Sequence, residues 1–281
     1  PVLVDQEGGR VQRLGPPHWR PAPPGAAFAR LYESDPDAAS EAAYLNALVM
    51  ARELAGLGFS VDCTPVLDVP QPDAHDIIGD RALGRQPSAV ADLGRAVCRG
   101  MLAGGVLPVI KHLPGHGRAR ADSHEELPVV EAPLTELENV DFPPFRDLAD
   151  APWAMTAHVV YTALDAVEPA STSPGIIADV IRGDFGFNGV LVSDDLGMKA
   201  LSGGFDDRVR RVLQAGCDVA LHCSGDMAEM VAAASAATPL SEATQARIAA
   251  GEALRRNTQS DHISDAAALE RFRSLMGAMP A

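Results

Sequence analysis

Residues 105–124 read Gly-Val-Leu-Pro-Val-Ile-Lys-His-Leu-Pro-Gly-His-Gly-Arg-Ala-Arg-Ala-Asp-Ser-His, an apolar segment that runs directly into a polar loop. The first six residues are a short, partly β-branched run that predicts a buried strand. The loop carries a lysine, three histidines, two arginines and an aspartate, and it is interrupted by proline and glycine. Barrels of alternating strands and helices present their reactive side chains on loops at the carboxyl ends of the strands. The stretch therefore predicts this kind of α/β fold and locates its candidate chemistry.

Strand-like and helix-like segments alternate along the rest of the chain, which is typical of a parallel sheet covered by helices. Short apolar runs predict strands at residues 2–4, 58–62, 105–111, 153–159, 190–192 and 218–222. Helices are predicted at residues 38–55, 89–103, 176–185 and 206–214, and over the Ala-rich remainder from 227 onward. The Pro-rich segment 16–24 predicts a surface loop. No change of composition marks a boundary, so we predict a single domain over residues 1–281.

Bulk composition limits the classes of partner. Hydrophobic residues make up 47% of the chain and charged residues 22%, as in an ordinary globular protein. The net charge of −15 argues against nucleic acid and against an anionic membrane surface, because both are bound through clustered Lys and Arg. No run approaches the ~18 consecutive apolar residues of a transmembrane helix. Cys63, Cys217 and Cys223 lie in or beside apolar runs, which predicts small buried residues.

Asp194 is the first candidate for catalysis. It follows the apolar strand at 190–192 and precedes Asp195. Because side chains alternate along a strand, only one of the two carboxylates is expected to face the open end of a barrel. A carboxylate at that place can act as a nucleophile. The alternative is that Asp194 caps the next helix.

The segment Asp122-Ser123-His124 is the second candidate. A carboxylate two residues from an imidazole can bond one ring nitrogen and leave the other free for proton transfer. Residues 123–126 also fit a helix-capping box, although Pro128 argues against a helix there. Both interpretations stay open from these residues alone.

Several cationic and imidazole side chains complete the set of candidates. His112 and His116 have the spacing of metal ligands on a helix, but the intervening Pro and Gly argue against a helix, so no metal site is predicted. Lys111 and His112, at a strand end, fit hydrogen-bond donors to a polyhydroxylated ligand. Arg13 and Arg81 are further donors in loops, and simple solvation is the alternative for both.

Taken together, these segments resemble the glycoside hydrolase family 3 β-N-acetylhexosaminidases. The matching segments follow the family's order, and they are Asp-Gln-Glu-Gly-Gly-Arg-Val-Gln-Arg (5–13), Ile-Ile-Gly-Asp-Arg (77–81), Lys-His-Leu-Pro-Gly-His-Gly…Asp-Ser-His (111–124) and Ser-Asp-Asp-Leu-Gly-Met (193–198). The Asp-x-His element separates this branch from the family's glucosidases. The resemblance implies a TIM-type (β/α)8 barrel, and the family's first strand and helix have no counterpart before Pro1.

The resemblance also implies roles for the candidate residues. Asp194 would be the nucleophile of a retaining mechanism, and His124, supported by Asp122, would be the acid/base. The side chains that would bind the hydroxyl and acetamido groups of N-acetylglucosamine are Asp5, Arg13, Arg81, Lys111 and His112.

The function implied is an exo-β-N-acetylglucosaminidase that removes terminal N-acetylglucosamine from muropeptides, such as N-acetylglucosaminyl-1,6-anhydro-muramyl peptides, during cell-wall recycling. The resemblance also implies a cytoplasmic monomer that needs no cofactor or metal. Its partner would be the small carbohydrate substrate rather than nucleic acid or a membrane. The alternatives are a β-glucosidase or a phosphorolytic relative, because a neutral imidazole base tolerates a phosphate acceptor. Two others are a metal-dependent barrel hydrolase that uses His112, His116 and His158, and a sugar-binding protein without catalysis.

Overall fold

The computed structural model describes residues 1–277, and its centre is a parallel sheet. The strands are β1 (Leu3–Val4), β2 (Gln6–Gly8), β3 (Val11–Gln12), β4 (Val61–Asp62), β5 (Leu107–Leu113), β6 (Val129–Val130), β7 (Trp153–Thr156), β8 (Val160–Tyr161), β9 (Val190–Asp195) and β10 (Val219–Leu221). Six of them form one sheet in the order β1-β4-β5-β7-β9-β10, and every neighbouring pair is parallel. These six are the strands that the sequence predicts. Two small extra pairs, antiparallel β2–β3 and parallel β6–β8, were not predicted.

Helices follow the strands and cover the sheet. They are α1 (Gly25–Tyr32), α2 (Pro36–Gly56), α3 (Pro87–Ala103), α4 (Leu134–Glu136), α5 (Pro143–Asp147), α6 (Phe205–Ala215), α7 (Met227–Ala236), α8 (Glu242–Asn257) and α9 (Asp265–Met276), with a 3₁₀ turn at Gly79–Arg81 and π-helical segments at Leu137–Asp141 and Ile176–Asp184. The predicted helices are all present, and the Ala-rich remainder divides into α7, α8 and α9. Helix α1 was not predicted, because it begins directly after the Pro-rich loop. The single-domain prediction also includes residues 278–281, which lie outside the described residues.

Alternation along the strands separates an inner from an outer core. Val190 and Val192 belong to a buried cluster on one face of the sheet, whereas Leu191 packs into the larger cluster beneath the helices on the other face. In β9 the inner face continues to Asp194, and in β5 the same alternation leads to Lys111. The strands therefore direct these two polar side chains to the inner face at the carboxyl end of the sheet.

The sheet curls so that its two edges approach one another. Asp5, just after β1, and Cys223, just after β10, line the same pocket although their strands are at opposite edges. Within residues 1–277 no hydrogen-bonded ladder joins β1 to β10. The prediction of an α/β fold is therefore confirmed as a curled, open parallel sheet.

Helix α8 lies across the opposite end of the strands. A Cβ atom on Gly251 would come within 3.4 Å of the Trp153 indole nitrogen and 3.6 Å of Leu107, both of which begin their strands. Ile248 packs against the inner core. This end is filled by side chains, so the carboxyl end is left as the open one. No helix within residues 1–277 has the length and apolar character needed to cross a bilayer.

Candidate active site

A pocket of about 350 Å³ opens at the carboxyl ends of the parallel strands. Seven of the eight side chains predicted from sequence line it, namely Asp5, Arg13, Arg81, Lys111, His112, His124 and Asp194. The eighth, Asp122, contacts His124 from behind. Part of the lining is apolar and is formed by Val11, Ile77, Met155, Met198 and Leu221. Side chains that are far apart in sequence are thus brought to one cavity.

Paired charges form the floor of the pocket. Lys111 Nζ donates to Asp5 Oδ1 at 3.0 Å and contacts Glu7 Oε1 at 2.6 Å. Arg81 binds both oxygens of Glu7, with Nε at 2.9 Å and Nη2 at 2.8 Å. Burial alone would raise the pKa of Glu7, but Lys111 and Arg81 lower it to about 2. Burial likewise opposes ionisation of Asp5, and Lys111 holds its pKa below the ordinary value. The floor is therefore a set of fixed, fully ionised groups, with Arg13 at 3.4 Å from Asp5 on its open side.

The hairpin β2–β3 carries Asp5, Glu7 and Arg13, and the buried Gln6 holds it in place. The backbone amide of Gln6 donates to Asp62 Oδ1 at 2.9 Å. The side-chain oxygen of Gln6 accepts the backbone amides of Arg13 at 2.8 Å and Leu14 at 3.0 Å. Burial raises the pKa of Asp62 well above its ordinary value. Gln6 and Asp62 thus fix the position of the groups that line one wall.

A buried aspartate orients two histidines, His112 near the end of β5 and His116 in the loop that follows it. Asp68 is fully buried, and its Oδ2 lies 2.7 Å from His112 Nδ1 while its Oδ1 accepts the amides of His112 at 3.2 Å and His116 at 2.6 Å. His112 therefore presents its Nε2 to the pocket. Burial and the neighbouring His112 lower the pKa of His116 to about 4, so the His116 ring is neutral near pH 7.

Asp194 lies at the end of β9 and is 6% exposed. Its Oδ1 accepts the amide of Asp195 at 2.8 Å. It does not cap a helix, because α6 begins only at Phe205. The expectation that Asp195 turns away from the open end is wrong. Because β9 ends at Asp195, the Asp195 side chain also reaches the pocket wall. There Asp195 Oδ1 accepts the backbone amides of Gly197 at 3.0 Å and Cys223 at 2.9 Å.

Asp122 and His124 form a carboxylate–imidazole pair at the mouth of the pocket. Asp122 Oδ1 lies 2.7 Å from His124 Nδ1 and accepts the His124 amide at 2.8 Å. Partial burial would raise the pKa of Asp122, but these two bonds lower it. The His124 side chain is 57% exposed, which leaves its Nε2 accessible. No helix runs through residues 123–128, so the capping-box alternative is wrong.

The remaining histidine and cysteine candidates are mostly buried, and they do not form a metal site within residues 1–277. His158 is fully buried between Ser171 Oγ at 2.6 Å and the Asp195 carbonyl at 3.1 Å. Cys63 and Cys217 are buried as predicted, but Cys223 is exposed because it follows β10 into the pocket. Among residues 1–277, no three His, Cys, Asp or Glu side chains converge to hold a metal ion.

Sequence reasoning did not assign a role to two acidic residues of this site. Glu7 lies within the quoted segment 5–13, two positions after Asp5. Asp68 follows the predicted strand at 58–62 and its exit loop, as Asp194 follows its own strand. Both are polar residues near the open end of the sheet, where function is concentrated.

Comparison with known proteins identifies one family and a set of similar β-hexosaminidases. Residues 1–256 match the family described as the glycosyl hydrolase family 3 N terminal domain. The β-hexosaminidase of Alkalilimnicola ehrlichii is 42% identical over 227 residues, which cover 79% of this chain and 64% of that protein. The β-hexosaminidase of Nitrosomonas eutropha is 39% identical over the same shares. The chain thus spans just under two thirds of the length of these curated relatives.

Solved structures resemble the chain over almost its whole length. NagZ from Neisseria gonorrhoeae, solved in complex with N-trifluoroacetyl-D-glucosamine, has a TM-score of 0.82 at 32% identity, covering 98% of this chain and 79% of that one. The glycoside hydrolase family 3 β-N-acetylglucosaminidase from Paenibacillus has a TM-score of 0.85 at 28% identity, covering 98% of this chain and 55% of that one.

Proposed function

Because the chain belongs to glycosyl hydrolase family 3, we propose that it is a retaining exo-β-N-acetylglucosaminidase. One observation carries the proposal: Asp194 and His124 line a single pocket, and His124 is bonded on its far side to Asp122. A double-displacement hydrolysis requires a nucleophile and a general acid/base, and a carboxylate and a supported imidazole can supply these two roles. The names of the relatives support N-acetylglucosamine as the sugar that is removed.

The chemistry proceeds in two steps. In the first, an Asp194 oxygen forms a bond to the anomeric carbon while the bond to the leaving oxygen breaks, and His124 Nε2 gives that oxygen a proton. In the second, neutral His124 takes a proton from water, the water oxygen attacks the anomeric carbon, and Asp194 leaves as a carboxylate. Asp122 keeps the His124 proton on Nδ1 and stabilises the imidazolium form. Atoms and charge balance without a metal or cofactor.

The charged floor binds the sugar. Asp5 and Arg13 lie at the exposed side of the floor, and Lys111, His112 and Arg81 present donors held by buried carboxylates. Each charged hydrogen bond to a sugar hydroxyl or amide contributes roughly 1.5–3 kcal/mol. A few such bonds fix one sugar in one orientation, which suits removal of a terminal residue.

We extend the proposal to the fold and the biological substrate. The curled six-stranded sheet is the larger part of a TIM-type (β/α)8 barrel, consistent with the likeness to the two solved enzymes. The natural substrate is the N-acetylglucosaminyl-1,6-anhydro-muramyl peptide of peptidoglycan recycling, hydrolysed by a monomer in the cytoplasm. This assignment rests on the resemblance of the motifs at residues 5–13 and 111–124.

Turnover of 4-nitrophenyl N-acetyl-β-glucosaminide by the chain and by Asp194→Ala tests the proposal. We expect hydrolysis that the variant loses, that chelator leaves unchanged and that releases the β-anomer first. Preference for the matching glucoside would point to a β-glucosidase, and dependence on phosphate to a phosphorolytic enzyme. Loss of activity with chelator would favour metal chemistry, whereas sugar binding without turnover would leave a binding protein.

A further inference from the structure

Ser123 differs from its two neighbours in the acid/base segment. Its side chain is almost fully buried at 2% exposure, whereas His124 is largely exposed and Asp122 partly so. Within residues 120–127, the hydrogen bonds to other parts of the described chain are both made by Ser123. The remaining bonds of this segment stay inside it, among residues 122–126. Ser123 thus makes both hydrogen bonds that tie residues 120–127 to the rest of the described chain.

The first of these bonds leads to the loop after β5. Ser123 Oγ lies 3.4 Å from His116 Nε2, at the long end of the range for a hydrogen bond. His116 is itself held rigidly, because its amide donates to the buried Asp68 at 2.6 Å. Its ring is buried and neutral, so it offers a fixed donor or acceptor rather than a charge.

The second bond leads to the segment that follows the nucleophile. The Ser123 carbonyl accepts the amide of Ala200 at 3.2 Å. Ala200 is buried, and it belongs to the turn after β9 in which the Met198 amide donates to the Asp195 carbonyl at 3.1 Å. Through Ser123, the acid/base segment is therefore tied both to the loop of β5 and to the segment that continues from Asp194.

We propose that Ser123 is the positioning residue that holds His124 within reach of the leaving oxygen. The inference rests on the proposed function, and it adds a role that neither His124 nor Asp122 supplies. A general acid acts only within hydrogen-bond distance of its target. Without the Oγ bond, the exposed segment samples more conformations, and His124 spends less time in the productive one. One bond of this length corresponds to a loss of about three- to tenfold in acid catalysis.

Substrates with different leaving groups separate positioning from a general structural role. Acid assistance is needed for phenyl N-acetyl-β-glucosaminide, a poor leaving group, and hardly for the 2,4-dinitrophenyl analogue. For Ser123→Ala we expect kcat/KM to fall about three- to tenfold on the phenyl substrate and to change less than about twofold on the dinitrophenyl substrate. In a His124→Ala background, Ser123→Ala should cause no further loss on either substrate, because residues that act as a unit are not additive.

Ser173→Ala is the matched control. Ser173 is also fully buried, and its hydroxyl donates to Asp165 and accepts the amide of Ile176, away from the pocket. It should lower thermal stability without any dependence of activity on the leaving group. Equal loss on both substrates with Ser123→Ala, or further loss in the His124→Ala background, would overturn the inference. If His124→Ala itself left phenyl turnover unchanged, the proposed function would fail instead.

Discussion

Glu7 and Arg81 meet in a two-point ion pair beneath the pocket, with Nε to Oε2 at 2.9 Å and Nη2 to Oε1 at 2.8 Å. Both side chains are buried, at 6% and 10% exposure, although 74 positions separate them in sequence. Glu7 Oε1 also contacts Lys111 Nζ. The Glu7 carboxylate therefore orients both Arg81 and Lys111, two of the cations that we assign to sugar binding. Glu7 itself is less exposed to the pocket than Asp5.

Replacing Glu7 by Gln should weaken both stability and binding. It leaves Lys111 paired with Asp5 and removes the carboxylate that binds Arg81. Breaking a buried pair in this way costs about 3–5 kcal/mol of unfolding free energy. KM should rise, because Lys111 and Arg81 lose their fixed orientation. Urea unfolding and steady-state kinetics measure the two effects.

The chain offers a matched surface pair as control. Arg271 also binds both oxygens of Glu41, at 2.8 and 2.7 Å, but both side chains are about half exposed. Glu41→Gln should change stability far less, since solvent screens exposed pairs. Equal effects of the two substitutions would contradict the role we give to burial.

Asp141 should make stability depend on pH in the opposite direction from most carboxylates. Burial raises its pKa to about 6, despite Arg118 Nε at 2.6 Å from its Oδ2, and its Oδ1 is buried without a partner. A raised pKa in the folded state contributes stability below the ordinary value of 3.8 that is lost as pH rises through about 6. The advantage of the wild type over Asp141→Asn should therefore shrink by about 3 kcal/mol between pH 3.5 and 7. Unfolding free energies of both proteins across this range test it, and a constant difference would refute it.

Asp122→Asn should reduce kcat about 10²-fold while changing KM little. The amide can still occupy the space beside His124 Nδ1, but it carries no charge to stabilise the imidazolium, and general acid–base catalysis contributes 10²–10⁴-fold. The loss should be larger for poor leaving groups. Glu125→Gln, an exposed change in the same segment, should leave activity as it is. A uniform rise in KM would instead indicate that Asp122 contacts the sugar.

The limits of sequence reasoning follow from the physics of the individual residues. The six strands were predictable because each contains a short apolar run. The open end was predictable because Lys111 directly follows one such run and Asp194 follows another after a single serine. The two-residue strand pairs β2–β3 and β6–β8 carry too few side chains to show a period. The partners of Glu7 and Asp68 are distant in sequence, and only the folded chain brings Arg81 and His112 to them. The sequence around Ser123 fits a helix-capping box. The buried position of Ser123 could not be predicted, because its partners His116 and Ala200 come from other segments of the chain.

Azide should distinguish the two groups that we propose as catalytic, Asp194 and His124, by the configuration of its product. In Asp194→Ala the proposed nucleophile is absent, so azide should attack the anomeric carbon of an activated substrate from the vacated side and give the α-glycosyl azide. In His124→Ala the glycosyl-enzyme still forms from a dinitrophenyl substrate, and azide, which needs no general base, displaces Asp194 to give the β-glycosyl azide. Both products are identified by proton NMR coupling constants. Asp195→Ala serves as the neighbouring carboxylate control and should yield no azide product of inverted configuration. If Asp195→Ala gave the α-azide and Asp194→Ala did not, the nucleophile would be Asp195, which also lines the pocket.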